Sequence, residues 1–417
     1  MSKPGTPEWR RAEASRLIEF GRAAALPGGG FGWLDVNGDI DVRQPRPLYI
    51  NARMTYVFAL AHLAGVAGAD DLAASGLGAF VNRYADGENG GWFSSLDLSG
   101  NVIDSTKANY AHAHALLATS SAVAAGIPGA DSALAAAAAS IDQHFWSDAE
   151  GCALENWNAD FTELEPYRGA NSNMHSVEAY LAAGDVTGNP VWHARAASIA
   201  TRLINDHARA YAWRIPEHYD ENWQPRPDYN ADRRNDPFRP YGTTPGHSFE
   251  WARLLLTLEA AQATPPAWLL EAATALFDTA VADAWQRDGH PGLIYTVDTN
   301  GQPVVTARMH WVACEAVLAA DALHRRTGEE RFAALAVRWW DEIDRYFLDR
   351  DGGGWWQELA PDMTPATSTW SGKPDLYHSY QALLLPSLPL SPTAATALAR
   401  RRAAGGPGGA PGGALAS

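Results

Sequence analysis

Cysteine is scarce in this chain. Cys152 and Cys314 are the two among 417 residues, too few for a disulfide framework and in keeping with a reducing compartment. Positive charge is also short: 32 Lys and Arg stand against 48 Asp and Glu, a formal net charge of −16. That balance argues against nucleic acid and against anionic membrane surfaces as partners. Apolar runs stay below the roughly 18 residues that a membrane span requires. The opening "MSKPGTPEWRRAEAS" lacks the apolar centre of a secretory signal, so a cytoplasmic location is expected. Missing too are an HExxH pair, a paired-cysteine metal set and a phosphate-binding glycine motif.

What is present suits a packed globular domain, with 46% hydrophobic and 19% charged residues. Tryptophan is abundant at 17 residues. Many lie in loop-like contexts such as "GGWF", "GGGWWQE" and "ENW". They either pack beneath long loops or offer faces on which sugar rings stack.

One unit recurs six times. A glycine-rich turn leads into a short aromatic strand-like piece, a polar loop and then an apolar helix. Examples are "GGGFGWLDVNGDIDVRQPRPLYINARMTYVFALAHLAG", "GENGGWFSSLDLSGNVIDSTKANYAHAHALLAT" and "DGGGWWQELAPDMTPATSTWSGKPDLYHSYQALLLP". Each unit follows an amphipathic stretch such as "LLEAATALFDTAVADAW" or "RFAALAVRWWDEIDRYF". Outer amphipathic helices therefore alternate with inner, more fully buried ones. Arg53, His112, His175, His247, His310 and His378 mark equivalent inner-helix starts, 59, 63, 72, 63 and 68 residues apart. Such spacings exceed those of open solenoids. The expected fold is all-α: an (α/α)6 barrel of six inner and six outer helices, with short β-hairpins in the long loops. It fills residues 1–392, and the low-complexity segment 393–417 is expected to be a disordered tail.

The inner helices all follow the long loops, so their N-termini share one end of the barrel. At or near those ends stand Arg53, Tyr110 and His112, Asn173 and His175, His247 and Glu250, His310, and His378. Histidine recurs there in five of six units, which reads as an active site at a cavity mouth. In "GTTPGHSFEWARLLL", Thr244 is a candidate N-cap, Pro245 suits the first helical position and His247 falls in the first turn. The helix dipole there favours a neutral imidazole. Glu250, three residues on, can orient that ring.

Other chemistries fit less well. His247 and Glu250 have a spacing a metal would accept, but His112 and His114 diverge on a helix, so no metal is expected. "DVNGDIDVR" resembles a calcium loop until Arg46 occupies the twelfth position, where a glutamate is needed; a hairpin turn is expected. Glycoside hydrolysis needs facing carboxylates, and Asp97, Asp104, Glu163 and Glu250 are not singled out as the histidines are. Histidines with an arginine suit removal of a proton from carbon beside a carbonyl, as at C2 of an open-chain aldose.

The segments "YINARMTYVFALAHLAG", "NSNMHSVEAYLAAG", "GHSFEWARLLL" and "SGKPDLYHSYQALLLP" resemble the N-acylglucosamine 2-epimerase superfamily over about residues 8–390. That resemblance implies an (α/α)6 barrel that isomerises or epimerises sugars without a cofactor. Gln381 stands where the 2-epimerases carry arginine, which points to the aldose–ketose isomerase branch and to interconversion of D-mannose and D-fructose, with D-lyxose/D-xylulose as a further pair. A sugar 2-epimerase or a sulfoquinovose isomerase is the alternative within the superfamily; a hydrolase or non-catalytic sugar-binding protein is the alternative outside it. By the same resemblance His378 moves the C2 proton, and His247 with Glu250 opens the ring and exchanges the O1/O2 proton. The division between the two histidines stays open. Arg53 would hold the enediolate oxygen, while Tyr110, Asn171, His175, Trp311 and Glu315 line the sugar. His310 receives no role. The expected partner is a monosaccharide, with no nucleic acid and no membrane, for a monomer or homodimer.

Overall fold

The computed structural model describes residues 2–405. Its inner helices are α2 (Leu48–Leu63), α4 (Asn109–Ala124), α6 (Ala170–Thr187), α8 (Pro245–Ala260), α10 (His310–Thr327) and α12 (Tyr377–Leu384). The outer helices are α1 (Pro7–Gly21), α3 (Ala69–Ala79), α5 (Ala130–Ser140), α7 (Pro190–Ala200), α9 (Trp268–Ala284) and α11 (Glu330–Glu342), and a last helix, α13 (Ala394–Ala403), follows. The two classes differ in how much of their circumference is apolar. All of α2 except His62 is buried, whereas α11 buries Phe332, Trp339 and Trp340. A one-sided stripe suits an outer layer, and an all-round apolar surface suits an inner one.

The inner helices pack successively, α2 on α4, α4 on α6, α6 on α8, α8 on α10 and α10 on α12, and α12 returns to α2. Each odd-numbered helix from α3 to α11 packs on the inner helix before it, and α1 packs on α12. The ring is closed, an (α/α)6 barrel. Short antiparallel strands decorate the loops at the upper end, where the inner helices begin. The widest sheet joins 46–47, 95–96 and 102–104.

Ion pairs pin these loops to the barrel rim. Lys107 Nζ meets Asp86 at 2.8 Å, Arg168 meets Glu150 at 2.8 Å, Arg308 meets Asp288 at 2.6 Å and Lys373 meets Asp349 at 2.5 Å. In each pair the base lies just before an inner helix, and the acid lies in the glycine-rich turn of the same repeat. Four repeats thus use one device, and its burial makes it strict: Lys107 is wholly inaccessible.

The C-terminal segment departs from expectation. Ala394–Ala403, assigned from sequence to a disordered tail, is helical, with Ala394, Ala395, Ala397 and Leu398 buried. It packs on α2, α4 and α6, and the Thr393 N–H donates to Asp185 at 2.6 Å. Alanine is the strongest helix former, and its small side chain lets α13 lie close to the barrel. The remainder of that tail, 406–417, lies outside the described residues.

Removing one member of a buried ion pair strands a charge at a cost of about 3–5 kcal/mol, whereas replacing both by apolar groups is close to neutral. Asp86→Ala should therefore destabilise the protein by about that amount in denaturant titration, and Asp86→Ala with Lys107→Met should recover most of it. Equal losses in both variants would refute the rim-pinning role.

Candidate active site

The inner helices bring the functional side chains to one depth. Counting from the first residue of each helix, the sixth position holds Arg53, His114, His175, Glu250 and Glu315 in α2, α4, α6, α8 and α10. One turn deeper, on the same helix faces, lie Tyr56, Glu178 and Arg253. The first turns of α8, α10 and α12 add His247, His310, Trp311 and His378 above this layer. Arg53, His175, His247, Glu250, His310, Trp311 and His378 line one cavity. It adjoins a wider cleft of about 1730 Å³ through Tyr49, Tyr110, Asn171, Pro237, Phe238 and Trp370.

Two histidines are backed by carboxylates. His378 Nδ1 lies 2.8 Å from Glu315 Oε1, and His247 Nδ1 lies 3.0 Å from both oxygens of Glu217. With Nδ1 bonded to a carboxylate, the opposite ring nitrogen, Nε2, is left for the cavity. Trp311 stands between the two rings, 5.2 Å from His247 and 5.6 Å from His378 by centroid. Gly246 makes room for it: a Cβ there would meet the Trp311 ring at 2.5 Å. Arg53 is held on three sides, by Tyr110 Oη at 2.6 Å, Asp375 at 3.2 Å and His114 at 3.4 Å. Burial opposes its charge, but the neighbouring Tyr110 and Asp375 win and keep the guanidinium firmly protonated.

Burial also sets the protonation of the rings. It pushes His175 and His310 down to about 4 and His378 well below the ordinary histidine value, in the last case with help from Arg53. The same desolvation, reinforced by Glu315, raises the Glu250 carboxyl well above the usual range. A neutral base and a proton-bearing acid thus face one cavity.

Several sequence expectations change. Glu250 is not the partner of His247; Glu217, from the strand His218–Asp220 and its approach, reaches that ring first because Glu250 lies one turn deeper on α8. Glu315 does not line the cavity. It is wholly buried behind His378, because the sixth position of α10 points beneath the base. His112 faces away from the axis: its Nδ1 contacts the Ala108 carbonyl at 2.8 Å and its Nε2 accepts from Trp92 N–H at 3.2 Å. His114, two residues on, takes the axial place. Tyr110, Asn171, His175 and Trp311 line the cavity, and His310 joins them, with Nε2 lacking a hydrogen-bond partner. Of the loop tryptophans, Trp92 and Trp355 pack in the core, while Trp370 reaches the cavity.

Sequence reasoning overlooked Glu217, Asp375, Arg253 and Phe238. A signal for Glu217 existed at repeat level. Glu155, Glu217 and Glu358 occupy matching loop positions, in or beside the short strands of the third, fourth and sixth repeats. Each accepts a backbone N–H near the following inner helix: Gly169, Thr244 and Trp370 respectively.

Two groups, His175/Glu178/Glu250 and Glu250/Glu315/His378, place possible ligand atoms within 4.8 Å of one another. The Arg253 guanidinium already lies 3.0–3.7 Å from the three carboxylates and supplies the cation that this donor set needs.

This combination of barrel and site defines a class. The sequence profile of N-acylglucosamine 2-epimerase (GlcNAc 2-epimerase) matches residues 29–382, and the chain belongs to that family. Among its relatives, a D-mannose isomerase of Thermobifida fusca is 51% identical over 94% of this chain and 96% of its own length. A D-mannose isomerase of Pseudomonas cannabina pv. alisalensis is 46% identical over 96% and 97%. A crystal structure of a D-mannose isomerase superposes with a TM-score of 0.87 at 28% identity, covering 93% of this chain and 99% of the other. Among the described residues no helix is long and apolar enough to cross a membrane.

The buried rings make stability depend on pH. His112 sits at about 3, His175 and His310 at about 4, and His114 and His378 well below the ordinary value, burial being the main cause throughout. The unfolded chain binds these protons near pH 6.5, so stability is lost as pH falls from about 6.5 towards 4. Glu155, pushed up to about 7 by burial, and Glu250 oppose the trend. Five histidines outweigh two glutamates, and each uncompensated proton is worth about 1.4 kcal/mol per pH unit. The melting temperature should fall between pH 7 and about pH 5; an unchanged or rising value would contradict the buried neutral rings.

Proposed function

We infer that this chain is an aldose–ketose isomerase that interconverts D-mannose and D-fructose, moving the C2 proton to C1 through a cis-enediol. The observation that carries this reading is the pair of carboxylate-backed histidines, His378–Glu315 and His247–Glu217, flanking Trp311 in one enclosed cavity with Arg53. Relatives named D-mannose isomerase at 51% and 46% identity over nearly the whole chain support the choice of substrate.

In this scheme neutral His378 accepts the C2 proton at Nε2 and returns it to C1. Glu315 fixes the tautomer and stabilises the imidazolium while it exists. Arg53, charged at all working pH values, faces the oxygen on which negative charge develops. Glu250 carries a proton and can donate it to a sugar oxygen, and His247 serves ring opening and exchange between O1 and O2. Tyr110, Asn171, His175 and Trp311 hold the sugar. Of the three loop arginines that could recognise a sulfonated sugar, Arg239 is committed to Glu165 through contacts of 2.6 and 2.8 Å, Arg233 pairs with Asn230 and Asp236, and Arg234 donates to the Ala231 carbonyl. The unsulfonated aldose therefore fits better. Two opposed histidines also suit a 2-epimerase, and the product distinguishes the two readings.

EDTA-treated protein incubated with D-mannose should yield D-fructose. His378→Ala should lower kcat by about 10²–10⁴-fold with the fold intact by circular dichroism. Absence of ketose would sink the isomerase reading, and glucose with little fructose would favour the epimerase.

A further inference from the structure

Beneath the cavity, Arg253 of α8 reaches into a cluster of buried carboxylates drawn from three helices. Its Nε donates to Glu315 Oε2 of α10 at 3.0 Å. Its two terminal nitrogens stand 3.5 Å from Glu250 Oε1, one turn earlier on α8, and 3.7 Å from Glu178 Oε1 of α6. Other titratable groups face the cluster from the packed helices, among them His114 of α4, whose ring lies 4.5 Å from His175 and 5.3 Å from Tyr377 by centroid. Tyr377 of α12 donates to the second oxygen of Glu178, and Tyr56 of α2 lies alongside Glu178 and Arg253 on the deeper side. His175 Nδ1 is 4.0 Å from Glu178 and 3.9 Å from Glu250, His378 bonds Glu315, and Arg53 stands above Glu250.

The three carboxylates are unequally served. Glu315 accepts from Arg253 and pairs with His378, and Glu178 accepts from Tyr377. Neither oxygen of Glu250 has a protein partner, although that residue is 1% exposed. In a dry site the carboxylate with the fewest donors is the one that keeps a proton. Arg253 itself does not line the sugar cavity; it borders a separate cavity at the lower end, together with Gln381. Its influence on chemistry therefore passes through the glutamates.

We propose that Arg253 is a positioning residue of the isomerisation: by bonding Glu315 while only approaching Glu250, it keeps Glu315 anionic behind His378 and leaves the cluster's proton on Glu250, facing the sugar. The proposal rests on the isomerase reading above. Nothing in the covalent steps changes; Arg253 decides which buried group is acid and which is counter-ion.

The test uses the full chain with Arg253→Met, Arg253→Lys and the charge-balanced Arg253→Met/Glu178→Gln. Folding is followed by circular dichroism, and kcat and KM for D-mannose are measured across pH. Arg253→Met should lower kcat by about 10²-fold with KM little changed. It should also move the acid limb of kcat to higher pH, because the carboxylate cluster loses the guanidinium that neutralises it. Arg253→Lys should return the limb towards its original place. If Arg253→Met does not fold, the charge-balanced variant must show the same shift. A folded neutral variant with an unmoved limb would overturn the proposal, as would a loss expressed in KM alone or a lysine variant displaced as far as methionine. Infrared spectroscopy separates this from the isomerase reading. In Arg253→Met a second protonated-carboxyl band should appear beside the one assigned to Glu250 by its loss in Glu250→Gln, whatever the substrate, and an unchanged spectrum in this region overturns the proposal even if mannose is not turned over.

Discussion

A buried charge must meet a partner, and the axis of this barrel is organised around that constraint. Moving an ionised carboxylate or guanidinium out of water is prohibitive unless opposite charge and hydrogen bonds replace the water. Here each does find such a partner. Arg53 is matched by Asp375 and Tyr110, Arg253 by Glu315, and each carboxylate-backed histidine by its own glutamate. Glu250, 3.5 Å from Arg253 but accepting no hydrogen bond, responds by holding a proton, and the rings respond by staying neutral. In the proposed scheme, acid, base and oxyanion partner thus arise from the packing itself.

The closed ring makes this concentration of polar groups possible. Six helix N-termini converge at one end, and five sixth-position side chains meet at one depth without any loop having to reach inwards. The loops then close the site from above. Phe238 packs edge-on against Tyr49, Tyr110 and Trp370, and Asn235 donates to the Ser368 carbonyl at 3.0 Å, tying two repeats together across the mouth. Rim ion pairs such as Lys107–Asp86 hold the bases of these loops. The upper wall therefore comes from loops of several repeats, whereas the chemistry comes from the helices.

Much of this was legible before any coordinates. The glycine-turn, strand, loop and helix unit recurs in the sequence, and alternation of one-sided with all-round apolar helices implies two concentric layers. His247 in the first turn of α8 and His378 near the start of α12 follow from the same register. What stayed hidden depends on helical phase and on partners distant in sequence. A histidine-based alignment chose His112, but a shift of two residues turns a side chain by about 200°, and His114 is the axial one. Glu250 was paired with the nearest histidine along the helix, although the ring's partner, Glu217, is 30 residues away. Glu315 read as a sugar contact because its depth behind His378 cannot be seen in spacing alone. The segment after 392 was judged by its glycine-rich end rather than by the alanines of α13.

Solvent-deuterium labelling tests the central claim most directly, namely that His378, poised by Glu315, shuttles a proton between C2 and C1. When D-mannose is converted in D2O, deuterium should enter C1 of the fructose in proportion to the exchange of the His378 imidazolium proton with solvent before its return, and His378→Ala should abolish both this labelling and exchange at C2 of recovered mannose. Full exchange at C2 in the His378→Ala variant, or fructose formed by that variant at an undiminished rate, would contradict the mechanism.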